Sequence, residues 1–199
     1  MARRGYRMNE RAKAQDETRE RIVLATMQLH DEQGVALTSF ADVAKRAAIG
    51  VATVYRHFAT PGALVMACGA HVWAEMAPPL SDHAPAAFAG LATLEERLQR
   101  LVDELDAFYR RGALRLDRAA TDRDRVPELD GFLCSVEAGV SAWVGEAVKN
   151  QGLPKPAIQL LMALTDFPVW QSMQRIGIDD DARNRLMVQV LSWALAAAR

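Results

Sequence analysis

The sequence predicts an all-α protein made of two helical units. Apolar residues recur at intervals of three and four along most of its 199 residues, which is the spacing of amphipathic helices. Proline and glycine divide the chain into segments of helical length, and no segment shows the alternation of a convincing strand. Half of the residues are hydrophobic, so the chain can bury a sizeable core. We expect about nine helices, three in a first unit and the others in a larger second unit.

The first helix is predicted over residues 16–33. Ile22, Ala25 and Leu29 recur on one face, and Gly34 provides a C-terminal cap. Residues 1–15 show no apolar periodicity, and we expect them to form a flexible basic arm.

Residues 38–58 predict two short helices around a tight turn. Ser39 with Asp42 three residues later resembles a capping box, and it begins a helix that extends to Ala47. Gly50 interrupts that helix, and a second one follows with Val54 and Phe58 facing inward. Its outward residues are Val51, Ala52, Thr53, Tyr55, Arg56 and His57. This division predicts a helix-turn-helix whose second helix can enter a DNA groove.

These motifs resemble those of the TetR/AcrR family of bacterial transcriptional regulators. The similarity covers about a quarter of the chain: it begins with Thr18–Ala25 and the glycine at 34, includes Asp42–Ala44 and Ala52–Phe58, and ends near Leu64. The resemblance implies a three-helix DNA-binding domain over 16–62 and a larger ligand-binding and dimerisation domain over 63–199. It also implies a sequence-specific regulator of transcription. A repressor is favoured over an activator because repressors are the more frequent members of the family.

Side-chain chemistry suggests how each residue would contact DNA. Groups able to donate hydrogen bonds to phosphate oxygens are carried by Thr38, Ser39, Thr53, Tyr55 and His57. Arg56 has a planar, bidentate donor that suits guanine, whereas Val51 and Ala52 offer apolar contact, for instance with a thymine methyl group. Two of these assignments have an alternative. Tyr55 could instead be an aromatic packing residue, and His57 could be a surface residue with no partner.

The charge distribution favours the same end of the chain. Residues 1–60 contain 10 Lys and Arg against 7 Asp and Glu, while residues 61–199 contain 14 against 18. Arg3 and Arg4 lie in the basic arm, which can reach a phosphate or the minor groove. The alternative is a solubilising terminus that touches nothing specific.

The rest of the chain is divided at its prolines and glycines. The predicted segments are a linking helix over 61–77, a loop over 81–90, a helix over 93–111, a short helix with a loop over 112–125, and helices over 127–151, 155–176 and from about 179 onward. Pro168 is predicted to bend the helix that contains it.

The last two helices are predicted to associate with a second copy of the chain. Their candidate interface residues are Leu164, Phe167, Trp170, Leu186, Val190, Trp193 and Ala197. The last helix is apolar over an arc too wide for one neighbour to cover, so a partner could cover the remainder. A homodimer would place two recognition helices roughly 34 Å apart on a palindromic operator. The alternative is that all these residues form intramolecular core.

A small-molecule ligand is implied by the family resemblance. The candidate lining residues are Trp73, Met76, Leu101, Leu105, Phe108, Tyr109, Phe132 and Trp143. They are apolar and aromatic, so they would favour an apolar or aromatic effector, although each could equally be ordinary core.

Other functional classes receive little support. The histidines show no metal-ligand spacing, and there is no phosphate-binding loop or nucleophile motif, so we expect neither an enzyme nor a cofactor or metal. Cys68 and Cys134 form no redox or metal motif, and no signal peptide or membrane-spanning run appears; both observations favour the cytoplasm. The main alternative is a ligand-independent architectural DNA-binding protein. Another is an interaction module whose helix-turn-helix has lost DNA binding, since Gly50 and Val51 depart from the family pattern.

Overall fold

The computed structural model describes residues 2–197, with side chains from residue 10 onward. Over these residues the protein contains ten α-helices, one 3-10 turn and no strand, which confirms the all-α prediction. The helices are α1 (Ala2–Gln33), α2 (Phe40–Arg46), α3 (Val51–His57), α4 (Pro61–Met76), α5 (Ala84–Ala87), α6 (Leu94–Asp122), α7 (Pro127–Ala147), α8 (Lys155–Leu164), α9 (Phe167–Met173), followed by the 3-10 turn Gln174–Ile176, and α10 (Asp180–Ala197).

The chain divides into two compact units. The first contains residues 1–74 together with 117–131, and the second contains residues 75–116 and 132–199. The end of α6 and the start of α7 therefore belong with the N-terminal helices, which the sequence did not lead us to expect. The predicted domain boundaries after residues 15 and 62 stay predictions.

The core of the first unit is shared by its four N-terminal helices. The buried residues of this cluster are Ile22, Val23, Met27, Leu29, Phe40, Val43, Ala44, Val54, Phe58, Leu64 and Cys68. Val54 and Phe58 face inward as predicted, with almost no exposed surface. Burial of such side chains contributes about 1.5–3 kcal/mol each, so the inner face of α3 holds the helix against the core.

The N-terminal segment differs from the expected flexible arm, because α1 begins at Ala2 instead of at Asp16. Residues 7–15 are mostly Arg, Met, Glu, Ala, Lys and Gln, which favour a helix and include no proline. A helix already fixed by packing at Ile22 can therefore extend outward without an apolar face of its own. Arg3 and Arg4 lie outside the residues whose side chains are described.

The charge-dense segment after residue 111 is the second difference. It was predicted as a short helix with a loop, but α6 continues unbroken to Asp122. A Cβ atom on Gly112 would collide with the end of the buried Met76 side chain. The glycine thus allows α6 to pack closely against Met76 of α4 and does not end the helix, and Leu116 and Ala119 continue the buried face.

The predicted helix over 155–176 is divided in two. Helix α8 ends at Leu164, and Asp166 then caps α9 by accepting the Phe167 N–H at 2.8 Å. Pro168 lies in the first turn of α9, where its missing N–H costs no hydrogen bond. The proline therefore starts a helix, and the prediction that it bends one was wrong.

The second unit is built around α6. Leu98, Leu101 and Phe108 are almost completely buried along that helix. The hydroxyl of the buried Tyr109 donates a hydrogen bond to the Thr165 carbonyl oxygen at 2.9 Å, at the α8–α9 break. Within residues 2–197, none of the helices combines the length and apolar character needed to cross a bilayer.

Candidate nucleic-acid interface

The turn between α2 and α3 determines how the recognition helix is presented. Ala48 has a φ of +53°, which is a left-handed conformation that costs a residue with a Cβ atom about 1–2 kcal/mol. Gly50, by contrast, is the N-cap of α3 with an ordinary extended φ of −74°. It supplies no side-chain hydrogen bond to the helix that follows. The residue that makes the tight turn is therefore Ala48, whereas Gly50 leaves α3 without a side-chain cap.

The outward face of α3 is accessible along its whole length. Val51, Ala52, Tyr55 and Arg56 are exposed. Thr53 and His57 lie half-buried at the edges of this face. Tyr55 is 57% exposed, and its ring meets that of Phe40 edge-on with 4.8 Å between the centroids. The ring thus rests on α2 while its hydroxyl group stays available, so packing and DNA contact are compatible for this residue.

Arg56 differs from the other arginine of the helix-turn-helix. Arg46 forms two hydrogen bonds to the Glu32 carboxylate, at 2.8 and 2.6 Å, and is therefore occupied within the protein. The Arg56 guanidinium makes no hydrogen bond or ion pair with any residue that the structure describes. Its donors are therefore free for a ligand outside the chain.

Thr38 and Ser39 already use their hydroxyl groups. Thr38 donates to the Gly34 carbonyl oxygen at 2.8 Å. Ser39 donates to the Asp42 carboxylate at 2.5 Å and accepts the Asp42 N–H at 3.2 Å, which completes the predicted capping box. The Ser39 hydroxyl and N–H groups lower the pKa of the Asp42 carboxyl. A phosphate contact from either hydroxyl would require it to give up its present acceptor.

The His57 imidazole favours its neutral form. Burial lowers the pKa of its imidazole, and the positive charges of Arg56 and Arg19 lower it further. Arg19 lies over the Phe58 ring at 4.5 Å from the centroid. At neutral pH the imidazole can therefore donate one hydrogen bond to a phosphate oxygen without contributing a full charge.

Asp122 at the end of α6 organises the loop before α2. Asp122 is 6% exposed, and its carboxylate accepts the N–H groups of Val35 at 2.7 Å and Ala36 at 3.0 Å. Gly34 beside it has a φ of +90°, and a Cβ atom there would lie 2.9 Å from the same carboxylate. Nearby, Arg118 donates to the Glu32 carbonyl oxygen at 3.3 Å. No local sequence pattern predicts the contact of Asp122 with Val35 and Ala36, because more than eighty residues separate the partners.

The predicted ligand-pocket residues are mostly core. Met76, Leu101, Leu105, Phe108, Tyr109 and Trp143 are buried, whereas Trp73 and Phe132 are half-buried. A void of about 30 Å³ in the second unit brings together Leu105 and Tyr109 of this set, with Asp106 and Arg183 also on its wall. That volume suits about one water molecule, so the ligand site stays a prediction.

The predicted dimer residues leave an apolar surface on the second unit. Trp193 is 71% exposed and Leu186 is 38% exposed on α10, which contacts α8. Val190 is half-buried and Ala197 is exposed on the same helix. Leu164, Phe167 and Trp170 are half-buried, and Phe167 stacks on Trp170 at 5.8 Å. Exposed tryptophan on a helix is the kind of surface that a partner covers.

Comparison with known proteins agrees with this geometry. Residues 22–68 match the family model of bacterial regulatory proteins, tetR family. No curated protein matches the chain. The matched segment begins in the packed part of α1 and ends in α4, so it contains the complete helix-turn-helix.

Solved structures share the fold over most of the chain. The multidrug binding protein EbrR, complexed with imidazole, is 22% identical with a TM-score of 0.60, covering 89% of each chain. A TetR-family member, SCO1917 from Streptomyces coelicolor, is 21% identical with a TM-score of 0.61, covering 87% of this chain and 97% of its own. NalD, the secondary repressor of the MexAB-OprM multidrug efflux pump in Pseudomonas aeruginosa, is 17% identical with a TM-score of 0.62, covering 90% and 97%.

The helix-turn-helix sequence, its exposed recognition face and the shared fold agree with one another. Residues 22–68 are similar to the DNA-binding region of bacterial regulatory proteins of the tetR family, and the chain shares its fold with solved structures that include a TetR-family member.

Proposed function

We propose that the protein is a repressor that binds a palindromic operator as a homodimer and is released from it by an apolar or aromatic small molecule. The observation that carries the proposal is the outward face of α3, where Tyr55 and Arg56 are exposed and the Arg56 guanidinium is uncommitted among the described residues. These exposed side chains do not stabilise the unit that carries them, whereas the base edges in a DNA groove provide hydrogen-bond acceptors for their donors.

Each residue of α3 has a separate task in this proposal. Arg56 donates two hydrogen bonds to a guanine, which gives base preference. The Tyr55 hydroxyl and the His57 imidazole bind phosphate oxygens on either side and set the register. Val51 and Ala52 contact thymine methyl groups. Arg3 and Arg4 add phosphate contacts that carry no sequence information.

Dimerisation is proposed through α8, α9 and α10. The exposed Trp193 and Leu186 supply an apolar centre, and dimers related by a two-fold axis repeat such a patch on both copies. Pairing positions two α3 helices for successive major grooves, so the operator is palindromic.

Release by a ligand is proposed through the second unit. EbrR is a multidrug binding protein and NalD is a repressor of a multidrug efflux pump, which supports an apolar or aromatic effector for this chain. The ligand would bind better to the conformation in which the two α3 helices are wrongly spaced. As a DNA-binding regulator the protein would work in the cytoplasm.

The decisive experiment selects bound sequences from random duplex DNA with the full-length protein. We expect enrichment of a palindrome with half-sites about one helical turn apart, and a dimer in sedimentation of the free protein. An architectural DNA-binding protein would instead enrich no sequence and would lose affinity steeply with salt. Failure to bind any duplex would exclude both functions.

A further inference from the structure

A cavity inside the first unit has the size of a ligand site. Its volume is about 560 Å³, and its walls come from α1, the α1–α2 loop, α2, α4 and the α6–α7 junction. Small-molecule sites occupy roughly 300–1,000 Å³. None of the eight residues predicted to line the family's ligand pocket borders this cavity. It is therefore a separate space, next to the DNA-binding helices.

One wall of the cavity is the apolar core of the helix-turn-helix. Phe40 and Val43 of α2 and Leu64 of α4 line it, and all three are buried members of the core cluster. Val65 of α4 also lines it and is half-buried. An apolar body placed here would contact the same residues that hold α2 against α1 and α4.

His30 provides a polar group on the cavity wall. Its imidazole has no hydrogen-bond partner among the described residues. Burial lowers the pKa of this histidine to about 4, while the carboxylates of Asp31 and Asp122 act to raise it. At neutral pH the ring is uncharged, so one nitrogen can accept a hydrogen bond. The two aspartates also make the local potential negative, which favours a cation over an anion.

Glu128 provides a negative charge on the cavity wall. It lines the cavity from the first turn of α7 and lies against Gly62, where a Cβ atom would collide with its carboxylate. Gly62 is the residue that allows this approach. Arg125 is the cation on the wall, and it is exposed to solvent. Solvent screens Arg125 more than it screens the half-buried Glu128, so the charges on the wall favour a cation over an anion.

We propose that this cavity binds a compact, mainly apolar organic amine in its protonated form. The ammonium group donates hydrogen bonds to His30 and to the Glu128 carboxylate, and the apolar body packs on Phe40, Val43 and Leu64. The site is distinct from the effector pocket proposed for the second unit. Because the ligand contacts α2, its binding stabilises the helix-turn-helix by linkage.

Three probes of equal size and different charge test the ligand class. The full-length protein is titrated with benzylamine, benzyl alcohol and benzoate, and the histidine ring signals are followed by NMR, with the His30→Gln variant identifying the His30 signal. We expect saturable shifts of the His30 ring, tightest for benzylamine and weakest for benzoate. No shift of His30 with benzylamine, or tighter binding of benzoate, would overturn the proposal.

Substitutions then locate the site. Glu128→Gln should weaken benzylamine binding about tenfold and leave benzyl alcohol unchanged, because it removes one charge-assisted hydrogen bond. Val65→Phe should place a phenyl ring at the apolar wall of the cavity and weaken binding. The matched control Met66→Phe changes the next residue, which is 62% exposed and does not line the cavity, and should keep wild-type affinity.

The outcome is independent of the proposed repressor function. Binding is measured without DNA, so a protein that ignores every operator can still bind benzylamine here, and a sequence-specific repressor can fail to do so. If Val65→Phe does not fold, Glu128→Gln decides alone: equal benzylamine affinity in this variant and in the wild type would refute the site.

Discussion

Two helices of the protein expose side chains that their own units do not need. On α3 the exposed face carries Tyr55 and Arg56, whereas on α10 it carries Leu186 and Trp193. Both helices are fixed from behind, by Val54 in the first case and by Leu191 and Leu195 in the second. The polar face suits an acceptor-rich groove in nucleic acid, and the apolar face suits another protein surface. In both cases buried residues hold the helix in its unit, and the chemistry of the exposed side chains determines which kind of partner the helix suits.

The largest effect is expected for Trp193→Lys, which places a charge on the apolar face. In a two-fold interface the change occurs twice, so the loss is about 4 kcal/mol, or roughly a thousandfold in the dimer dissociation constant. Sedimentation equilibrium measures it. Leu114→Lys is the matched control, because Leu114 is an exposed leucine of α6 that we do not place in the interface. An unchanged dimer constant for Trp193→Lys would remove α10 from the proposed interface.

A smaller loss of free energy is expected for Asp122→Ala. This change tests whether the Asp122 carboxylate supports the helix-turn-helix that carries the polar face. The change leaves the Val35 and Ala36 N–H groups without their acceptor, and we expect a loss of about 3 kcal/mol in the free energy of unfolding. Urea denaturation measures it. DNA affinity should fall as well, since the loop leads directly into α2, while dimerisation should not change.

The control for Asp122→Ala is Asp124→Ala. Asp124 is exposed two residues further along and should tolerate the change within about 0.5 kcal/mol. Equal stability of the two variants would show that Asp122 does not hold the loop.

Local and distant features of the first unit were not equally predictable from the sequence. For α3 the signals are local: Ser39 and Asp42 form a capping box three residues apart, and Val54 and Phe58 face the core at helical spacing. The Asp122 contact joins residues 86 and 87 positions apart, so no local pattern reveals it. Sequence spacing thus predicts the capping box and the inward face of α3, but not the distant contact that holds the loop before α2.

Helix ends were the least predictable part of the fold. Gly112 reads as a helix break, yet it is the residue that fits against Met76. Pro168 reads as a bend, yet Asp166 places it in a first turn. In both cases the same residue type is compatible with two structures, and tertiary packing decides between them. The predicted ligand residues have the same ambiguity, because apolar side chains line pockets and fill cores alike.

Arg56→Ala is expected to have an intermediate effect that is confined to DNA binding. Loss of a bidentate contact should cost about 1–3 kcal/mol at one or two base pairs and relax preference there. Competition titrations with the selected operator and its single-base variants measure this. Arg46→Ala is the control, since that guanidinium is occupied by Glu32 and the change should leave base preference intact. Equal losses on operator and random DNA would assign Arg56 to phosphate.

The smallest effect is expected for Gly50→Ser at the start of α3. Gly50 has a φ of −74° and open space around its Cβ position, so a serine fits without strain. Its hydroxyl oxygen could accept an N–H group from the first turn of α3, which has no side-chain cap at present. We expect a gain of a few tenths of a kcal/mol in the free energy of unfolding, measured by urea denaturation. Oligomeric state should not change, because the substitution lies in the unit that carries the polar face. A loss of stability would mean that α3 needs the bare backbone of glycine at its N-terminus, and that the missing cap is not a weakness of this helix.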